Sequence, residues 1–197
     1  MTTEPAPFSE LEASIGYQFH DQSLLVRALT HGSYRNEHRD IAYDNERLEF
    51  LGDAVLGMFI SARLLSRFPQ EPEGTLSRYK AGIVSEHGLN LVAEQLDLGR
   101  YLFIGRGELM AGGRQKSSLL SNALEAVIAA VFLDAGHETV ASLIERLFGE
   151  RLATIDSQDN RIDYKTRLQE LAQSMACHDT PVYSIVSISG PEHSKSF

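Results

Sequence analysis

One cysteine, Cys177, stands alone in the 197 residues, so no internal disulfide can form. That fits a reducing compartment, and a cytoplasmic location is the expectation. Long apolar runs are also missing. The longest, Ala126 to Leu133, is far shorter than a bilayer requires, so neither a membrane span nor a membrane partner is expected. The opening "MTTEPAPFSE" has no basic region followed by an apolar block, and no secretory leader is read from it. Basic residues are outnumbered, 18 Lys and Arg against 27 Asp and Glu, a net charge of −9. This excludes a protein that coats nucleic acid by bulk charge. Several catalytic motifs are absent as well: there is no G-x-S-x-G, no P-loop and no H-E-x-x-H among the seven histidines. No repeat of 20–50 residues is present.

What remains is ordinary globular composition, 43% hydrophobic and 23% charged. The acid is unevenly placed. Residues 161–197 carry four basic and four acidic side chains, so the whole surplus of −9 lies in residues 1–160. Residues 1–8, with two prolines and no periodicity, read as a loose tail. Residues 9–155 read as an all-α domain. Apolar residues recur at three- and four-residue steps over 22–30, 45–66, 76–96, 118–134 and 138–153. Ser23 and Ser118 are candidate helix openers; Pro69 and Gly136 are candidate stops. The glycine-rich "GRGELMAGG" (105–113) reads as a loop between helices, and His31 as a helix-end or core hydrogen bonder. Polar residues 156–162 read as a linker. Residues 163–197 then start a helix and turn β-branched, reading as a second, α+β domain cut short.

The stretch "NERLEFLGDAVLG" (45–57) carries the strongest chemical signal. On a helix, Glu46, Glu49 and Asp53 fall within an arc of roughly 60°. Leu48, Leu51 and Val55 face the opposite way, toward a core. In water such like charges cost a few tenths of a kcal/mol. In a partly dry cleft, two of them ~6 Å apart cost roughly 3 kcal/mol. A divalent cation removes that cost and uses the oxygens as ligands, as Mg²⁺ sites do. Gly52 and Gly57 lie inside this helix, where each costs about 1 kcal/mol relative to Ala. They imply that another backbone packs close. Phe50 lies on the carboxylate side, where an aromatic suggests a partner surface. A second helix, "SNALEA" (121–126), puts Asn122 and Glu125 on one face among small alanines. Facing helices carrying these residues would make an oxygen-ligand cage.

These residues resemble the ribonuclease III family of double-stranded-RNA endonucleases. "NERLEFLGDAVLG" is similar to its signature. "THGSY" (30–34) with "NE" (36–37), "FPQEPEGTLSR" (68–78) and "SSLLSNALEAVIAAVFLDAG" (117–136) resemble its flanking segments. "DYKTRLQELAQ" followed by "GPEH" resembles the start of the double-stranded-RNA-binding domain that follows. The resemblance implies an all-α nuclease domain and a partial RNA-binding domain. It implies Glu49, Asn122 and Glu125 as metal ligands, Asp53 and Glu125 as catalytic, and Glu46 and Glu73 as accessory acids. It implies Mg²⁺, with Mn²⁺ as substitute, and a homodimer into whose second subunit Phe50 plugs. Staggered cuts by two sites would leave 5′-phosphate and 3′-hydroxyl ends, in maturation of ribosomal, messenger and transfer RNA. In one place the chain departs from the family, which usually has Asp where Asn122 stands. Asn coordinates through its carbonyl oxygen but gives up a negative charge.

Thr166, Gln169, Glu170 and Gln173 lie on one helical face, and with the resemblance they become minor-groove contacts, with His193 a further one. The family's later phosphate-gripping lysine helix is absent, so weak RNA binding through this part is expected. Arg106, Arg114 and Lys116 are candidates for proximity to RNA phosphates. Two rivals remain at this stage: a duplex-RNA-binding protein whose cleavage Asn122 has impaired, and a purely helical interaction module.

Overall fold

The computed structural model describes residues 7–158. The chain divides after Ile155: Met1–Ile155 is one unit, and Asp156–Phe197 is a second that falls almost wholly outside the described residues. Helices build the first unit: α1 (Phe8–Ile15), α2 (Gln22–Ala28), α3 (Gly32–Glu37), α4 (Glu46–Arg67), α5 (Glu73–Val84), α6 (Glu86–Gln95), α7 (Arg106–Met110) and α8 (Ser117–Gln158). Two 3₁₀ turns, Leu98–Tyr101 and Gly113–Gln115, join the later ones. No strand occurs among the described residues; a single parallel bridge joins Thr30 and Phe103. The all-α expectation therefore holds for this unit.

The first half of α8 is the hub. Ala123, Leu124 and every residue from Ala126 to Val131 are fully buried. A helix that is apolar all round belongs at the centre of a bundle. Ser117–Ile155 is in fact long and apolar enough to cross a membrane by length and composition, but 61% of its most apolar window is buried within the protein. Gly136, at φ 78° and ψ −167°, breaks α8 in the middle. Glycine enters this region without steric cost, and the break lets the second half turn so that Val140, Leu143, Ile144 and Phe148 also reach the core. α4 contributes Leu48, Val55, Leu56, Phe59, Ile60 and Leu64 to the same core.

Several boundaries differ from the sequence expectation. Phe8 is not part of a loose tail; it opens α1 and packs edge-on against Phe103 at 6.2 Å. The helix expected over 76–96 is two. Ser85, at ψ 155°, leaves helical geometry, and its hydroxyl accepts from the Gly88 N–H at 3.1 Å. A Cβ on Gly88 would overlap the Ile83 carbonyl, so α6 can fold back this tightly only with glycine there. The loop expected over 105–113 contains α7. α2 is capped by Asp21, whose carboxylate accepts from the Ser23 N–H at 2.9 Å, rather than opened by Ser23. α8 runs to Gln158, so Asp156–Gln158 of the expected linker are helical.

The turn between α1 and α2 hangs on two buried acids. Glu12 accepts from the Phe19 N–H at 2.8 Å and from Gln22 at 2.6 Å. Asp134, its side chain 5% exposed, accepts from the Tyr17 hydroxyl (2.6 Å), the His20 N–H (2.7 Å) and the Asp21 N–H (3.1 Å). Burial pushes the Asp134 pKa up, but these hydrogen bonds outweigh it and hold the carboxyl below its ordinary value. The Tyr17 hydroxyl is pushed up to about 12, by burial first and then by Asp134.

Replacing Asp134 with Ala removes three hydrogen bonds, each worth about 1 kcal/mol net. We expect a loss of about 3 kcal/mol at pH 7 in urea unfolding. A depressed carboxyl contributes fully above its unfolded value of 3.8 and loses that contribution as pH falls through the lower folded value. The gap between parent and variant should therefore narrow in strong acid.

Candidate active site

α4 begins at a buried corner. Asp44 and Asn45 are 5% and 3% exposed. The Asn45 N–H donates to the Thr30 carbonyl at 2.8 Å, and its own carbonyl accepts from Leu48 (2.9 Å) and Glu49 (2.8 Å). From this start Glu46, Glu49 and Asp53 run up one side of the helix; Glu46 and Asp53 are exposed and Glu49 is half-buried. At Gly52 the helix meets α8. A Cβ there would overlap the Glu125 carbonyl, so the two backbones touch only because residue 52 has no side chain. The close approach expected at Gly52 is thus a backbone contact. At Gly57 the neighbour is instead the Lys80 ammonium of α5, 3.2 Å from where a Cβ would stand.

This contact crowds the acids of the two helices. The Glu125 carboxyl is pushed up to about 7, chiefly by burial and then by the charges of Asp53 and Glu49. Glu49 is raised too, by burial and then by Glu46, with Asp44 adding to it, while a hydrogen bond from the Asn122 side chain pulls the other way. Desolvation and like charge both penalise ionisation, and here they act together. Glu49, Asp53, Asn122 and Glu125 are therefore brought together as the sequence reading anticipated. All four offer hard oxygen atoms, which suit Mg²⁺ or Mn²⁺. Among the described residues no three Asp, Glu, His or Cys side chains already enclose one point. A cation held here would complete its shell with water or phosphate oxygens, as Mg²⁺ habitually does.

Glu73 is placed differently. It opens α5, is exposed, and accepts from the Ser77 hydroxyl at 2.6 Å. The charges acting on Glu49 and Glu125 are Glu46, Asp44, Asp53 and Glu49 itself, and Glu73 is not among them. Phe50 is 81% exposed, and Met58 and Leu65 are also open, with exposed Ala54 and Ser61 between them. Helical spacing puts these five on one apolar seam beside the acids. Arg114 is not free for phosphates: half-buried, it donates to the Gly99 carbonyl at 2.6 Å. Lys116 pairs with Glu108 at 3.2 Å. His31 caps α3, its ring nitrogen accepting from the Ser33 N–H at 3.2 Å. Thr166, Gln169, Glu170, Gln173 and His193 lie outside the described residues. Asp44 and Arg35, which form an ion pair at the base of α4, escaped the sequence reading. The Asp-Asn pair ahead of an apolar-periodic run is a helix-start signal that marks Asp44 but not Arg35.

Residues 21–152 match the family model described as Ribonuclease-III-like. The chain is 48% identical over 188 residues to ribonuclease 3 of Myxococcus xanthus, covering 95% of this chain and 72% of that protein. It resembles the crystal structure of the nuclease domain of ribonuclease III from Campylobacter jejuni, with a TM-score of 0.69 and 40% identity over 75% of this chain and 97% of that one. A second structure of that domain, described as having structural flexibility in the region involved in dimer formation, gives 0.67 and 41% over 73% and 99%.

The crowding has a measurable cost without metal. A carboxyl whose folded pKa is raised lends stability below its unfolded value of 4.5 and loses it as pH rises through about 7. Because Glu125 is only partly buried, the shift converts, after discount for solvent screening, to about 1–2 kcal/mol. Glu125→Gln should therefore be more stable than the parent at pH 8 in EDTA by that amount, with the difference shrinking toward pH 5, as read by urea unfolding.

Proposed function

The chain belongs to the ribonuclease III family, and from that premise we propose that it is an endoribonuclease cutting double-stranded RNA with a divalent cation. The observation that carries this reading is the crowded carboxylate group astride the Gly52 contact, with Glu125 held near 7. Glu49, Asn122 and Glu125 are the proposed cation ligands, Mg²⁺ being the natural ion and Mn²⁺ a substitute. When bound, the ion supplies neutralising charge beside the scissile phosphate and acidifies water. The Asn122 side chain lies against Glu49 and favours its charged form. Asp53 is the exposed acid of the group, the one free to face a phosphodiester and accept a proton from an attacking water. Glu46 adds negative charge next to Glu49. A water nucleophile leaves 5′-phosphate and 3′-hydroxyl ends.

The apolar seam of Phe50, Met58 and Leu65 supports a homodimer, in which two clefts would cut opposite strands with a short stagger. Processing of ribosomal, messenger and transfer RNA in the cytoplasm is the proposed setting. A second reading follows from Asn122. Its carboxamide donates to Glu49 where a carboxylate would repel it, which stabilises the metal-free cleft but lowers its charge. If this trade has gone too far, the protein binds duplex RNA and leaves it whole.

Incubation with duplex RNA and Mg²⁺ separates the two. Staggered products are expected, with Asp53→Ala slowing cleavage by about 100-fold or more; intact duplex at high Mg²⁺ supports the binder. Asn122→Asp should lower the Mg²⁺ concentration needed for half-maximal cleavage and reduce stability in EDTA. A charge on the seam, Met58→Glu, should shift sedimentation from dimer to monomer while circular dichroism stays helical.

A further inference from the structure

α3 has no buried residue, yet it touches both the loop before α7 and the start of α4. Its hold is polar. The Ser33 hydroxyl accepts from the Gly105 N–H at 2.9 Å, and Glu37 accepts from the Arg106 N–H at 3.1 Å. On the other side, Arg35 forms an ion pair with Asp44. The Asp44 side chain is 6% exposed, whereas that of Arg35 is 39% exposed. The second oxygen of Asp44 accepts from the Glu46 N–H at 3.2 Å. Next to it, the Asn45 carbonyl receives the Glu49 N–H. Gly32, at the start of α3, lies beside both acids: a Cβ there would stand 3.6 Å from the Glu46 carboxylate and 3.7 Å from that of Asp44, ordinary contact distances.

We propose that Arg35 and Asp44 are a positioning pair, which fixes the first turn of α4 so that Glu49 presents its carboxylate toward Asn122 and Glu125. Neither residue belongs to the cation-binding group. Asp44 clamps the Glu46 amide and Arg35 keeps that clamp oriented. Without Arg35 the buried Asp44 loses its countercharge and turns toward solvent, the first turn loosens, and the Glu49 oxygens lose a fixed direction. The inference rests on the reading of Glu49, Asn122 and Glu125 as cation ligands.

The test is Mn²⁺ binding to the full chain followed by electron paramagnetic resonance, at a temperature where circular dichroism shows each variant helical. Removing an outer partner of a ligand typically costs 10–100-fold in metal affinity. Arg35→Met should therefore weaken Mn²⁺ binding by about tenfold, and Arg35→Lys should recover most of that loss. In cleavage assays the Mg²⁺ requirement should rise in step while the rate at saturating Mg²⁺ changes far less. Mn²⁺ affinity within twofold of the parent in Arg35→Met, whatever its melting temperature, overturns the proposal. So does loss in Arg35→Met that Arg35→Lys does not relieve. If Arg35→Met does not fold, Asp44→Asn serves in its place, since it keeps the side-chain shape and one acceptor for Glu46; unchanged affinity there overturns the pair. If the parent chain itself takes up no Mn²⁺, the cation reading fails and the positioning role with it, a result distinct from failure in the variants alone.

Discussion

Everything at the site depends on two helix backbones touching at Gly52. The Glu125 carbonyl occupies the space a side chain would fill. Because the helices are this close, acids projecting from each cannot avoid one another, and burial removes the water that would screen them. The raised carboxyls of Glu49 and Glu125 are thus products of helix packing as much as of local sequence. The packing in turn needs the wholly apolar segment of α8. A helix buried on every side offers no slack by which the pair could drift apart.

Around this rigid centre the shorter elements are held differently. α2 and the much longer α4 and α8 have apolar residues to bury; α3 and α7 have none fully buried. Those two are fixed by named hydrogen bonds, from His31 to Phe103, Gly105 to Ser33 and Arg106 to Glu37. The turn after α1 depends likewise on Glu12 and Asp134. Polar links specify direction where hydrophobic burial specifies only proximity. That division explains why acids appear in the interior at joints between elements rather than within the core.

Much of this was legible beforehand. Glu46, Glu49 and Asp53 share a stripe because three- and four-residue steps return to one side of a helix, and no tertiary context alters that geometry. Gly52 was legible as a close approach because a mid-helix glycine asks for a reason. The misreadings have physical causes too. Val84 and Leu91 keep a seven-residue helical step across Ser85, so periodicity alone hides the break that one serine cap makes. α7 is five residues long and bounded by glycines, shorter than any window that detects a period. Glu73 opens α5 directly after Pro72, and proline just ahead of a helix is a normal start. Asp44 went unread, since its partner Arg35 lies on another helix and pairing across elements leaves no local pattern.

The Gly52 contact also shapes how this chain can vary. Asp53 points outward and has room for other side chains, so a change there leaves the scaffold standing. One carbon added at the preceding position pries the bundle open. In a library of random substitutions, the most intolerant codon of this segment would thus encode an atomless side chain, and a survey of dead clones would flag as essential a residue that never meets a substrate.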